Sequence, residues 1–143
     1  MISVENFVFS PIAVDLRAQY PGIQVVSEEL RSPAFENSSI AVSILEASNS
    51  IYQKMRTTTI ENAVQTMFEV NVYSNDTVYK KIEAKEVMTF IDERFENLGF
   101  TRIMCTPMAN LQDATIYRIT ARYEGVVMPE YVSDETIYRI YTH

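Results

Sequence analysis

The chain predicts a single α+β domain: a mixed, mainly antiparallel β-sheet packed against two α-helices, with a long β-hairpin tip. Three observations carry that prediction. Residues 60–73 alternate apolar and polar side chains, the period-2 pattern of a strand. Ser74-Asn75-Asp76 then leads into residues 77–98, whose apolar positions recur at helical spacing and end at Gly99. Residues 114–127 alternate a second time.

The length of 143 residues fits one domain. A chain of that size buries roughly 68–70% of its unfolded surface, so its core needs no disulfide or metal. The apolar fraction of 47% is that of an ordinary globular protein. Residues 1–127 hold the α+β pattern, and residues 128–143 form a C-terminal arm or a further strand.

The first helix is expected over residues 3–19, where Val4, Phe7, Val8, Ile12 and Leu16 recur at spacings of three and four. Ser3 is placed to cap it. Pro11 either kinks this helix or opens its better half after a Ser10 cap. Pro21-Gly22 ends it. Residues 23–26 read as a short strand and residues 28–38, with Pro33, as a loop. Residues 39–47 alternate through Ile40, Val42 and Ile44 and read as a strand. Residues 48–57 have no core period and no tight-turn dipeptide. They form the long tip of a hairpin joining 39–47 to 60–73.

Along that second strand, Val64, Thr66, Phe68, Val70 and Val72 share the face assigned to the core. Gln65, Met67, Glu69, Asn71 and Tyr73 share the other, assigned to solvent or a neighbouring subunit. Asn75 or Asp76 caps the next helix. Its apolar stripe is Val78, Ile82, Val87, Met88, Ile91, Phe95 and Leu98. Gly99 is expected in the left-handed conformation that closes a helix. Residues 100–105 read as a strand halted by Pro107, and residues 108–113 as a turn. In residues 114–127, Tyr117, Ile119, Ala121 and Tyr123 share one face, and Arg118, Thr120, Arg122 and Glu124 the other. Pro129 is expected to break that strand.

No stretch carries a strong chemical motif. Three glycines, at 22, 99 and 125, cannot make a phosphate-cradling loop. No Gly-x-Ser-x-Gly elbow occurs. The single cysteine, Cys105, reads as a small buried strand residue. A nucleophile needs a base nearby, and the one histidine is the last residue, His143. The carboxylates are dispersed rather than set at metal-ligand spacing. Glu46, Glu61 and Glu69 lie on or beside adjacent strands. Two of them would make an acid–base pair only by converging, and polar positions on an exposed face account for them better. The expectation is a protein that is not an enzyme and holds no cofactor or metal.

A net charge of −7 argues against tight binding to phosphate backbones, which takes a basic footprint. It does not exclude a surface that DNA merely passes. No apolar run approaches the roughly 20 residues that span a membrane. The first residues carry no basic segment ahead of an apolar one, so no secretory signal is expected. Nine tyrosines favour interfaces that are half wet. Arg118 and Arg122 share a strand face and can pair with carboxylates such as Glu69, within the chain or across a subunit boundary. The 48–57 tip is the least ordinary feature. Ile51, Tyr52 and Met55 sit beside Lys54 and Arg56, where a solvated loop would be polar. Either these residues fold back over the sheet or they anchor a partner.

The order helix, strand, strand, long-tipped hairpin, helix, strand, strand resembles the tail-terminator, or tail-completion, proteins of long-tailed bacteriophages. Three stretches are similar to small proteins encoded among phage structural genes. They are Ile51-Tyr52-Gln53-Lys54-Met55-Arg56, Phe68-Glu69-Val70-Asn71-Val72-Tyr73-Ser74, and Asn110-Leu111-Gln112-Asp113-Ala114-Thr115-Ile116-Tyr117-Arg118. The resemblance covers most of residues 4–127. It implies a structural virion protein without active site or cofactor, assembled in the host bacterial cytoplasm. That protein would be a homo-oligomeric ring, a hexamer, capping the tail tube and joining tail to head at the neck. Its partners would be itself, the tail-tube protein and a head–tail connector or stopper protein. DNA would pass through the lumen without specific binding, and no membrane is involved. In that setting Ile51, Tyr52, Lys54, Met55 and Arg56 face the tube, and Glu69, Arg118 and Arg122 lie near subunit boundaries. The alternatives are another neck or tail component, such as a stopper or tube protein, and a small non-enzymatic binding module.

Overall fold

The computed structural model describes residues 3–30, 32–52, 63–109, 114–132 and 135–141, with the backbone alone from residue 129 onward. Its elements are α1 (Glu5–Gln19), β1 (Gln24–Val26), β2 (Ile40–Ile51), β3 (Val64–Ser74), α2 (Lys80–Leu98), β4 (Thr101–Met108), β5 (Tyr117–Val132) and β6 (Glu135–Tyr141). The strands form one sheet in the order β1-β2-β3-β5-β4, with β6 also paired to β5. Among the described strands β1 and β2 run parallel and all other pairs are antiparallel. The chain is therefore a single α+β domain of the predicted class. No helix among the described residues is long and apolar enough to cross a membrane.

Helix α1 buries Val8, Ile12, Ala13 and Leu16, and Val4 just ahead of it is buried too. The expected Ser3 cap does not form; the helix follows Val4 without a side-chain cap. Pro11 lies inside one uninterrupted helix, on its exposed side. For α2, Asp76 organises the start. Its Oδ1 accepts the N–H of Val78 at 2.9 Å and of Tyr79 at 2.7 Å, satisfying donors that a helix N-terminus leaves open. The helix begins at Lys80 rather than at residue 77. Its buried stripe is Ala84, Val87, Met88, Ile91 and Phe95. Leu98 is half-buried against the core. Val78 and Ile82, assigned by sequence to the stripe, are 72% and 65% exposed.

Gly99 closes α2 as expected. Its φ is 93°, its N–H reaches the Glu96 carbonyl, and the Phe100 N–H reaches the Phe95 carbonyl. A β-branched residue resists that conformation. Gly99→Val is expected to lower stability by more than about 1 kcal/mol in urea denaturation. An unchanged midpoint would remove the capping argument.

Both helices pack on one face of the sheet. That face carries Val42 and Ile44 of β2, Phe68, Val70 and Val72 of β3, and Ile119 and Ala121 of β5, all buried. At one end of the core four aromatic rings meet. Phe95 stacks on Tyr123 with ring centroids 4.2 Å apart, and Phe100 stands edge-on to both Phe68 and Phe95. Gly125 makes room for Phe100: a Cβ there would lie 2.7 Å from the ring.

The sheet departs from the sequence reading in four places. First, β2 continues through Ser48 to Ile51, paired with residues 64–67 of β3, so the start of the expected tip is strand. A register shift between Glu46 and Ser48 absorbs Ala47 and lets the ladder run on. Second, β4 runs through Pro107, which an edge strand tolerates. Third, β5 runs through Pro129 to Val132 and pairs with β6. Beyond Val127, where β3 ends at Val64, β5 has a described partner on one edge only. Fourth, Asn71 and Tyr73 are buried on the sheet's second face. The segment between β1 and β2 covers them, with Tyr73 Oη donating to the Leu30 carbonyl and Ser43 Oγ to the Glu28 carbonyl.

Register also fixes where the hairpins lie. Ile51 pairs with Val64, and Val64 pairs with Val127. β2 and β3 therefore leave the sheet at the same end from which β5 continues into β6. Because β3 occupies one edge of β5 at Val126 and Val127, β6 takes the other edge, in line with β4.

Candidate protein-interaction surfaces

Alternation on β3 and β5 places Glu69, Asn71, Arg118, Thr120 and Arg122 together on the second face of the sheet. They form one network. Arg122 donates from Nε and Nη2 to Glu69 Oε1 at 3.2 and 3.1 Å. Asn71 Nδ2 donates to Glu69 Oε2 at 3.3 Å. Asn71 Oδ1 accepts from Arg118 Nε and Nη2 at 3.1 and 2.9 Å and from Thr120 Oγ1 at 2.6 Å. The Arg118 guanidinium lies 5.5 Å from the Tyr73 ring centroid, within cation–π range. Burial foremost pushes the Tyr73 phenol up, against the lowering charge of Arg118. The three sequence-predicted residues of this face, Glu69, Arg118 and Arg122, are thus brought together. Asn71, which joins them, is in the sequence reading only one of five positions on that face.

At the hairpin end, Ile51 is 38% exposed at the last rung of β2, and Tyr52 is half-buried with its N–H on the Ala63 carbonyl. Lys54, Met55 and Arg56 lie outside the described residues.

The carboxylates do not converge. Glu46 pairs across from Phe68 and Glu69 from Leu45, so the two point to opposite faces of the sheet. Glu61 lies outside the described residues. Glu46 sits on the helix-packed face, with Oε2 buried and without a hydrogen-bond partner among the described residues. Burial raises its carboxyl above the usual range, Glu5 adds to the rise, and a hydrogen bond with Asn49 opposes it. The folded state therefore holds that proton more tightly than the unfolded chain. Its contribution to stability is full below the unfolded pKa and is lost as pH rises through the folded one. Glu46→Gln is expected to raise the melting temperature at neutral pH, with the difference vanishing near pH 4. A lower melting temperature at neutral pH would mean that the ionised group is stabilising. Among the described residues no group of three His, Cys, Asp or Glu side chains is placed to hold a metal.

A surface that sequence reasoning missed lies on the flank formed by α2 and β4. An open groove of about 300 Å³ runs between them, with Met88 and Ile119 at its base and Lys85, Arg102 and Cys105 along its sides. Cys105 is exposed, not buried as expected, because β4 is the sheet edge. Partial desolvation pushes its thiol up, which keeps it in the unreactive form. Asp92 is engaged twice here, accepting Tyr123 Oη at 2.8 Å and Arg102 Nη1 at 3.1 Å. Ile82 continues the line of Lys85 and Thr89 along this side of α2, and Val78 lies in the turn ahead of the helix.

No protein-family model matches the chain, and no match to a curated protein was found.

Proposed function

We propose that the protein is a structural component of the bacteriophage neck, a homo-oligomeric ring that caps the tail tube and joins tail to head. The observation that carries this reading is the pair of strand extensions at one end of the sheet. β2 and β3 run out together at Ile51 and Val64, and β5 passes the same rung on its way into β6. A ring subunit needs an axial end to meet the tube and two lateral flanks to meet its neighbours. The hairpin end supplies the first, and the β1 and β4 edges supply the others. The charge of −7 suits a conduit that DNA passes without being held. The role is structural rather than catalytic, and a hexamer matching the tube is the ring number it implies.

Native mass spectrometry of the purified protein, alone and added to tail tubes, tests the reading. A ring-sized species in either setting supports it. A monomer in both settings overturns it. Arg118→Glu refines the test. Arg118 lies across from Met108 on the edge strand, close to where a neighbour would sit. The reversal is expected to weaken assembly more than it lowers the melting temperature. Equal loss of both would give Arg118 a purely intrachain role.

A further inference from the structure

We propose that a second copy of this chain docks on the second face of the sheet, face to face about a two-fold axis parallel to the strands. The contact belongs to the free protein and does not rest on the ring reading. Register lays that face out in rows that run across β2, β3, β5 and β4. One row is Leu45, Glu69, Arg122 and Met104. The next toward the hairpin end is Ser48, Met67, Glu124 and Thr101. Both helices pack on the other face, so no described helix covers these rows. A sheet face left to water is polar. These rows instead hold Leu45, Met67 and Met104, each only half-buried. Methionine side chains adapt readily to a partner's surface.

The order of side chains along the first row identifies the partner. It runs apolar, negative, positive, apolar. Laid against its own reverse, the row sets Leu45 on Met104 and Glu69 on Arg122, twice over. An axis between β3 and β5 makes that superposition, since it carries β3 onto β5 and β2 onto β4. The face is also neutral, with Glu69 and Glu124 against Arg118 and Arg122, in a chain of net charge −7. Two acidic molecules can meet there without setting like charges against each other. Arg122 uses Nε and Nη2 on Glu69 of its own chain, which leaves Nη1 for the other copy.

Shape follows the same axis. The chain after β1 crosses this face over β2 and β3, where the Glu28 and Leu30 carbonyls accept from Ser43 and Tyr73. The rows of Ser43 and Tyr73 end on β4 with Thr106 and Met108, and Met108 is 44% exposed. The rotation seats the raised half of each copy on the open half of the other. It brings the exposed Glu28 and Glu29 toward Arg118 of the other copy. Such an isologous contact closes at two copies.

Sedimentation velocity of the free full chain over a dilution series tests the contact. The smallest assembled species of the wild type should be a dimer. Arg122→Glu should shift half-dissociation to roughly tenfold higher concentration or more, because a two-fold contact contains the reversal twice. That variant also breaks the ion pair within the chain, so a second variant combines Glu69→Arg with Arg122→Glu. It keeps the pair with its signs exchanged, and its row is again complementary to its own reverse. It should stay folded and dimerise with itself. It should form no mixed dimer with isotope-labelled wild type in native mass spectrometry, because like charges would then face each other. A wild type monomeric throughout the series, a dimer indifferent to Arg122→Glu, or an exchanged variant that mixes freely with the wild type overturns the proposal. A wild type monomeric alone whose joining to tail tubes is lost in Arg122→Glu would assign the face to the tube and overturn it too. A wild-type dimer that forms no ring on tail tubes supports this contact and counts against the ring reading alone.

Discussion

Phe95→Ala is expected to destabilise the fold by about 3–5 kcal/mol. Phe95 is fully buried on the core face of α2. Its ring stacks on Tyr123 and stands edge-on to Phe100, and Phe68 lies 6.0 Å away, centroid to centroid. Truncation removes both the apolar burial and the neighbours' contacts, and the rigid sheet beneath cannot collapse into the space. It also strips the stacking that holds Tyr123, whose hydroxyl fixes Asp92 at the edge of the α2–β4 groove. Urea denaturation checks this. The midpoint should fall while the slope stays constant, the signature of lost stability rather than of a changed unfolded state. A loss under about 1 kcal/mol would mean that the aromatic cluster is not the keystone of the core.

Replacing residues 51–56 with a Gly/Ser loop is expected to leave the domain folded and abolish the joining of tubes to heads. Ile51 and Tyr52 begin this segment at the sheet end, and Ile51 is already open to solvent there. Three large apolar side chains in six residues cost roughly 25 cal/mol per Å² of apolar surface left in water. A tube surface that covers them removes that cost, and Tyr52 offers an aromatic anchor. On the proposed reading, Lys54 and Arg56 would steer an acidic ring toward an acidic patch, an effect expected to fade with salt. Electron microscopy of complemented lysates reads the outcome. Finished tails on heads, or an unfolded variant, would sink the assignment.

Much of the fold was legible because the two periodicities were clean. Alternation through Phe68, Val70 and Val72 and through Ile119, Ala121 and Tyr123 named the buried face, and Gly99 named the end of α2. The misses have physical causes. Val78 and Ile82 matched an i, i+4 spacing, but α2 begins only at Lys80, after Val78, and Ile82, at about 100° per residue, lies roughly 160° from Ala84, off the buried stripe. Ser48, Asn49 and Ser50 have poor strand propensity, yet the ladder to β3 overrides it. Pro107 and Pro129 stop a strand only where their missing N–H is needed, and neither stands in the doubly paired middle of the sheet. Asn71 and Tyr73 looked exposed because nothing in the sequence announces that the chain after β1 crosses that face, where the Glu28 and Leu30 carbonyls accept from Ser43 and Tyr73. The network of Glu69, Arg118 and Arg122 was half visible, in the matched faces of two strands. The α2–β4 flank was hidden, since it depends on which strand ends up at the edge.

Strand β5 is one continuous element with two different surroundings. From Tyr117 to Val127 it is hydrogen-bonded to β3, and along most of that stretch to β4 as well. From Met128 to Val132 its described pairing is to β6 alone. Amide hydrogen exchange should register this as a step within a single strand. Protons of the inner stretch should wait for global unfolding, whereas those of the outer stretch should exchange by local opening of the β5–β6 hairpin. The hairpin is then a separate cooperative unit carried on the domain. Local opening of that unit would leave the sheet behind it intact.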